Sequence, residues 1–275
     1  MKASVAIYVC HHAPGPSYSS EVFKPIHVGK SLSKVNLDAI GDDSGDNISQ
    51  KNRNYCELTA EYWVWKNQNP KTDYIGLAHY RRFFNFSAKN NSGGIEDFTQ
   101  FDPETISKFG WSDANVADRC ASVDMVIPRL QVNVYFRTNY AAYSHYHSKQ
   151  DMDLLVGIVR EITPNFEDAI QKVMKRRSGR FCNMFVFKRA YFEEFMDWQF
   201  KVLSELEKRT TVNQEDSYQR RIFGFAAERL LDIYVEHVMK RDNPKVLELP
   251  FVFGVFKPQP FMTKLKRVIF PFLMN

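Results

Sequence analysis

The sequence predicts a single α/β domain with a mixed central sheet flanked by helices. Three observations point to it. A β-branched apolar run at residues 3–10 breaks into the loop His11-His12-Ala13-Pro14-Gly15-Pro16; further short apolar runs end at Ala78, Ile127 and Phe187; and long amphipathic stretches separate them. Short buried strands alternating with amphipathic helices are the pattern of an α/β layer structure. Neither an internal repeat nor a linker divides the chain, so residues 1–275 are expected to form one domain, with 253–275 as a C-terminal extension.

Taken in order, residues 3–10 form the first buried strand, an apolar run too short for a secretory or membrane-spanning segment. Ile26 to Val28 form a second short strand, and the Gly/Asp/Asn-rich stretch from Asp38 to Asn54 forms a loop. Tyr55 to Asn67 shows helical spacing, with Leu58, Tyr62 and Trp65 on one face and Pro70 as the stop. Asp73 to Ala78 reads as a buried strand that runs directly into His79-Tyr80-Arg81-Arg82. The polar segment from Ser87 to Ser112 is expected to be a mobile loop or lid. Asp124 to Ile127 is a strand stopped by Pro128, and Asn139 to Ile162 is helical up to the break at Pro164. Asn183 to Phe187 is a strand. Tyr191 to Glu207 is a helix burying Phe192, Phe195, Met196, Phe200, Leu203 and Leu206. A helix from Arg220 to Met239 and a strand from Leu247 to Val252 complete the order.

Composition narrows the class without naming a function. Hydrophobic residues at 44% and charged residues at 25% exclude a disordered or collagen-like chain. The 23 Phe, 13 Tyr and 4 Trp fit core packing first and sugar stacking second. A net charge of +5 implies weak attraction to polyanions or anionic lipid and does not demand nucleic acid. Cys10, Cys56, Cys120 and Cys182 are scattered, with neither disulfide nor zinc spacing, which suits a reduced, cytoplasmic setting. The cluster Lys172, Lys175, Arg176, Arg177 and Arg180 reads as a solvated helix end, with phosphate binding as the lesser alternative. In the tail, basic and apolar residues alternate from Lys264 to Met274, which suits either packing on the domain or contact with an anionic membrane.

Three clusters could carry chemistry. In the first, Asp42, Asp43, Asp46 and Asn47, followed by Asn52 and Glu57, could bind hydroxyls or a divalent ion, or could equally be a solvated turn that caps the next helix. The second is His79-Tyr80-Arg81-Arg82 at a strand's carboxyl end, where open α/β sheets bind ligands. Guanidinium forks suit diphosphate oxygens, and histidine can shuttle a proton. On an extended chain Arg81 and Arg82 point to opposite sides, so one of them is expected at the ligand. The third joins Asn183 to the helix carrying Arg220, Gly224, Glu228 and Arg229, where Glu228 is either a general base or an arginine's ion-pair partner.

The ordered series Gly41 to Ser49, Asn52, Tyr55 to Thr59, Tyr62 to Asn67, Gly76 to Arg82, Asn183 to Phe185 and Gly224 to Leu230 resembles the DUF4422 family over residues 4–252. Members occur in bacterial capsule, O-antigen and exopolysaccharide clusters and are regarded as glycosyltransferases, some of them galactofuranosyl- or galactosyltransferases. The resemblance implies a GT-A-like, Rossmann-related fold and a nucleotide-sugar donor, with a UDP-sugar ranking first. It also implies a glycan or lipid-linked acceptor; with the cytoplasmic setting that the cysteines suit, the tail leaves peripheral contact with the inner membrane open. Where GT-A enzymes place a metal-binding Asp-x-Asp pair, this chain has His79-Tyr80-Arg81-Arg82, so cationic side chains are expected to do some or all of the metal's work. No cofactor is firmly implied; Mg or Mn held by Asp42, Asp43 or Asp46 is the metal-dependent alternative. In this picture His79 and Glu228 are catalytic, while Asp42, Asp43, Asp46, Asn47, Asn52, Glu57, Tyr80, Arg81, Arg82, Asn183 and Arg229 bind substrate. The competing class is a non-catalytic carbohydrate-binding or scaffold protein.

Overall fold

The computed structural model describes residues 3–68, 72–88, 95–133 and 135–257. In chain order the first elements are β1 (Val5–His11), β2 (Phe23–His27), β3 (Ile40–Gly41), α1 (Asn52–Tyr55), α2 (Leu58–Asn67), β4 (Tyr74–His79), β5 (Arg82–Phe84) and β6 (Glu96–Phe98). Then come α3 (Pro103–Phe109), α4 (Asp113–Ala121), β7 (Met125–Pro128), β8 (Gln131–Val132), α5 (Asn139–Tyr146), α6 (Lys149–Ile162) and α7 (Glu167–Lys175). The last are β9 (Ser178–Gly179), β10 (Phe185–Lys188), α8 (Arg189–Arg209), α9 (Ile222–Asp242), β11 (Val246–Leu249) and β12 (Phe251–Gly254).

The expected mixed sheet flanked by helices is what the chain forms. Its order is β11-β7-β10-β4-β1-β2-β3, with β5, β6 and β12 joined at its side. The pairs β1–β2, β1–β4, β2–β3 and β7–β11 are parallel, and β10 runs against both β4 and β7. Both faces of β1 are buried, which is why its sequence is continuously apolar rather than alternating. Ala6, Tyr8 and Cys10 pack with Leu77, Phe185 and Phe187 under the helical layer that includes α2, α6, α7, α8 and α9. Val5, Ile7 and Val9 face a second core built from Phe83, Phe84, Phe86, Phe98, Phe109, Trp111 and the α4 residues Val116, Ala117 and Cys120.

That second core overturns the expectation of a loop for the described part of Ser87 to Ser112; residues 89–94 of it lie outside the described residues. The segment contains β6 and α3, and its aromatics Phe98, Phe109 and Trp111 are buried on the sheet, with Trp111 Nε1 donating to the Phe84 carbonyl at 2.8 Å. Local signals for α3 were present: Asp102 accepts from the Thr105 amide, Pro103 opens the helix, and Gly110 closes it at φ 69°. Helix α4 has no counterpart among the sequence expectations. The stretch 139–162 is two helices, because Ser148 caps α6 by accepting from the Asp151 amide. The late strand likewise splits at Pro250 into β11 and β12.

Helix α2 turns Leu58, Glu61 and Val64 inward, while Tyr62 and Trp65 are half-buried and meet the rim residue Phe200 of α8. The core side of α8 is completed by Trp198, Gln199 and Val202 in place of Phe200. The basic cluster is a solvated helix end only in part, with Lys172, Lys175 and Arg177 exposed. Arg180 is fully buried with Asp232, and Arg176 pairs with Asp232 and Glu236, so two cations are neutralised by carboxylates projecting from α9. The expected stop at Pro70 and the alternating tail Lys264 to Met274 lie outside the described residues.

Candidate functional site

A cleft of about 520 Å³ opens at the carboxyl ends of β1, β2 and β4. Each strand delivers a side chain or turn to it: Cys10 and His12 from β1 and its exit, Val28 after β2, and His79 to Arg82 from β4 and the turn into β5. The turn resolves the alternation problem seen in the sequence. Because the chain reverses after Tyr80 and His79 pairs with Arg82 across the β4–β5 ladder, both Arg81 and Arg82 reach the cleft. The opposite wall comes from Asn52, Arg53, Cys56 and Glu57 around α1, and from Ser217, Arg220 and Arg221 before α9. Five arginines therefore face a single carboxylate, Glu57.

Local geometry holds these groups in place. Glu57 Oε1 accepts from Asn183 Nδ2 at 2.6 Å, and the same amide donates to the Gly224 carbonyl at 3.2 Å. Cys56 adopts φ 52°, ψ −131°, a conformation that costs a non-glycine residue on the order of 1–3 kcal/mol. Its carbonyl accepts from Asn52 Nδ2 at 2.7 Å, and its Sγ accepts from Arg221 Nε at 3.2 Å, so the strained residue ties α1 to an arginine of the facing wall. Gly29, at φ 65°, lets the chain pass Asn52, whose side chain lies 2.5 Å from where a Cβ would stand. The Arg81 guanidinium lies 5.0 Å from the Tyr80 ring centre and 5.4 Å from that of Phe253.

Burial sets the protonation of the cleft. The His79 imidazole is pushed down to about 4, mainly by burial; Glu57 opposes the shift and Arg82 adds to it. The ring hydrogen-bonds the Asn183 backbone, and its Nε2 is buried without a hydrogen-bond partner. Burial and the neighbouring Arg81 and Arg221 also hold His12 below its usual value.

Several of the residues singled out in the sequence are committed elsewhere. Asp42 is fully buried and accepts from the Gly29 and Lys30 amides and from the Ser49 and Thr59 hydroxyls, at 2.5–3.0 Å. It is the tie of its loop, with no lone pair facing the cleft. Asp43 is exposed and pairs with Lys30 at 3.6 Å, Asp46 accepts from Tyr62, and Asn47 bonds within its own loop. These four do not line the cleft. Asn183 is buried and orients Glu57 rather than lining the cleft. Glu228 and Arg229 sit 3.5 Å apart beside a small cavity of about 10 Å³ shared with Tyr143, His147 and Phe225, room for one water at most. Gly224 gives space to Cys56, whose Sγ lies 3.2 Å from where a Cβ at Gly224 would stand. Among the cationic and imidazole lining residues, Arg53, Arg221 and His12 were not singled out in the sequence, and Arg220 was named there only as part of the third cluster, with no role.

Tested as a divalent-metal site, the donor set does not fit. Asp42 is saturated, Asp43 and Asp46 lie outside the cleft, and among the described residues no group of three or more His, Cys, Asp or Glu converges.

The histidines predict a pH effect. His11 and His79 are held down to about 4 and His147 to about 3, in each case chiefly by burial. From pH 6.5 downward the unfolded chain takes up protons at these rings while the native protein stays neutral, until about pH 4. The contribution of these rings to stability is therefore expected to fall over that window, with about three protons taken up by them on unfolding near pH 5, partly offset by Glu61, which burial holds protonated to about 8 in the fold and which releases its proton on unfolding. Urea titrations at a series of pH values measure the slope, and a flat profile between pH 7 and 5 would contradict it.

Fold and site together define an α/β protein with a strongly cationic ligand cleft at its strand ends. The chain belongs to the family described as a domain of unknown function, DUF4422, whose model matches residues 6–241. It is also similar to a solved chain, the apo structure of the WbbM bifunctional glycosyltransferase, at 33% identity and a TM-score of 0.87. That similarity covers 94% of this chain and 48% of the other, so this chain spans about half the length of the structure it matches. No curated protein matches the chain.

Proposed function

We propose that this chain is a glycosyltransferase domain whose arginine-lined cleft holds the diphosphate of a nucleotide-sugar, a UDP-sugar first among them. The observation that carries the reading is the meeting of five arginines and one carboxylate at the carboxyl ends of β1, β2 and β4. The likeness to half of the WbbM bifunctional glycosyltransferase supports it.

In this reading Arg81 and Arg221, from opposite walls, bind the diphosphate and neutralise the charge that grows on it as the glycosidic bond breaks. Arg53, Arg82 and Arg220 add to the field. Glu57, held by Asn183, is the general base that takes the proton from the attacking acceptor hydroxyl, a role its place in the cleft supports and the enclosure of Glu228 does not. His79, Asn52 and Tyr80 also line the cleft and contact the substrate's hydroxyls there. The acceptor is a glycan or lipid-linked glycan of a bacterial surface polysaccharide, the sugar galactose or galactofuranose, and the location the cytoplasmic face of the inner membrane.

Calorimetric titration with UDP tests the central contact. The Arg81→Ala/Arg221→Ala double variant is expected to bind roughly 10- to 100-fold more weakly, the loss of two charge-assisted contacts partly compensated by the remaining arginines. An unchanged affinity would place the nucleotide elsewhere.

A further inference from the structure

Eight large apolar side chains stand well exposed among the described residues, and six of them fall on two loops. Leu32, Val35 and Ile40 are 43%, 47% and 38% exposed and belong to the segment that leaves β2 and enters β3. Leu130, Val132 and Tyr135 are 36%, 57% and 56% exposed and follow β7. Isolated surface apolar residues need no explanation, but two groups of three call for one.

Their placement supplies it. Strand β2 is parallel to β1 and β1 to β4, and β10 is antiparallel to both β4 and β7, so β2 and β7 point the same way. Both loops therefore leave the sheet at the end where the arginine cleft opens. Four strand steps separate β7 from β2 in the sheet order, roughly 19 Å at about 4.8 Å per step; of the cleft's strands, β4 and β1 lie between them and β2 itself carries the first loop at the cleft's edge. Basic residues alternate with the apolar ones: Lys34 and Arg137 are exposed and Arg129 is half-buried, while Lys30 is already paired with Asp43. The segment 129–137 contains no acid, and 29–41 contains only Asp38.

We propose that these two loops seat the protein on an anionic lipid bilayer, with the cleft mouth turned towards the membrane plane. Apolar side chains enter the headgroup boundary while neighbouring lysine and arginine meet lipid phosphates, and a tyrosine suits the interface. Two separate apolar feet on either side of a cationic cleft match a broad, flat, negatively charged surface better than a protein interface, whose apolar centre is continuous. The proposal rests on the transferase reading in one respect: it places the cleft where a lipid-linked acceptor would be met.

Flotation of the full chain with vesicles tests it, using phosphatidylcholine alone against phosphatidylcholine mixed with phosphatidylglycerol. Binding is expected to the anionic vesicles, and to weaken several-fold as salt is raised. Leu32→Ser, Val35→Ser, Val132→Ser and Tyr135→Ser combined should lower partitioning by roughly tenfold or more while UDP affinity stays unchanged. The Val132→Ser/Tyr135→Ser pair should give an intermediate loss and serves if the fourfold variant fails to fold. A wild-type chain that ignores anionic vesicles overturns the proposal, as does a folded variant that binds them equally well. Light scattering that shows self-association through these loops, with no vesicle binding, would reassign the surface to a protein contact. UDP affinity is read separately, so failure of the donor reading would show there and not in the flotation.

Discussion

Glu57→Gln is expected to lower kcat by roughly 10²- to 10⁴-fold while leaving the donor KM close to that of the unaltered protein. The substitution is nearly isosteric. Its amide oxygen can still accept from Asn183 Nδ2, which Gly224 also holds, so the wall keeps its shape and only the proton acceptor is lost. The diphosphate contacts come from arginines on other segments, which is why ground-state donor binding should survive. Glu228→Gln is the informative control: its carboxylate lies beside Arg229 and a cavity too small for an acceptor, so its loss should slow turnover far less. Steady-state kinetics on both variants decide between them, and a Glu57→Gln enzyme turning over at near-normal rate would remove Glu57 from the role.

Arg180→Ala is expected to destabilise the fold by about 3–5 kcal/mol. The guanidinium is fully buried and spends its donors on Asp232 at 2.6 Å, Glu248 at 2.5 Å and the Pro128 carbonyl at 3.1 Å. It thereby joins the end of β7 to α9 and β11. Removing it leaves Asp232 buried with Arg176 as its remaining ion-pair partner, and Arg176 is already shared with Glu236. The cost is mainly that of a buried carboxylate left short of positive charge, with a cavity added. Urea denaturation followed by circular dichroism measures it, and a loss under about 1 kcal/mol would mean that the network is solvated in solution.

How much was legible in the sequence follows the physics of each element. Strands β1, β4 and β10 and helices α8 and α9 stood out because a buried strand is a short apolar run and a packed helix carries a stripe at its own period. The segment from Ser87 to Ser112 misled because its buried aromatics are widely spaced among polar residues, and only the second core shows what they cover. The group His79 to Arg82 could be found because a strand's carboxyl end marks a ligand site in this class of sheet. Arg53, Arg220, Arg221 and His12 reach the same cleft from three separate segments, and their convergence exists only in the tertiary structure. Asp42 shows the converse: a short polar side chain in a Gly/Asp/Asn loop suits a ligand and a loop tie equally well, and four intramolecular hydrogen bonds decide for the tie.

The most direct test of the account is release of nucleotide diphosphate from UDP-, GDP- and dTDP-sugars in the presence of a glycan acceptor, with and without EDTA. The account predicts release from one donor class that persists in EDTA, because the cleft supplies arginines where a metal would stand, and that falls sharply in Arg81→Ala/Arg221→Ala. Binding of a nucleotide-sugar with no release from any donor, or release indifferent to the two arginines, would contradict it.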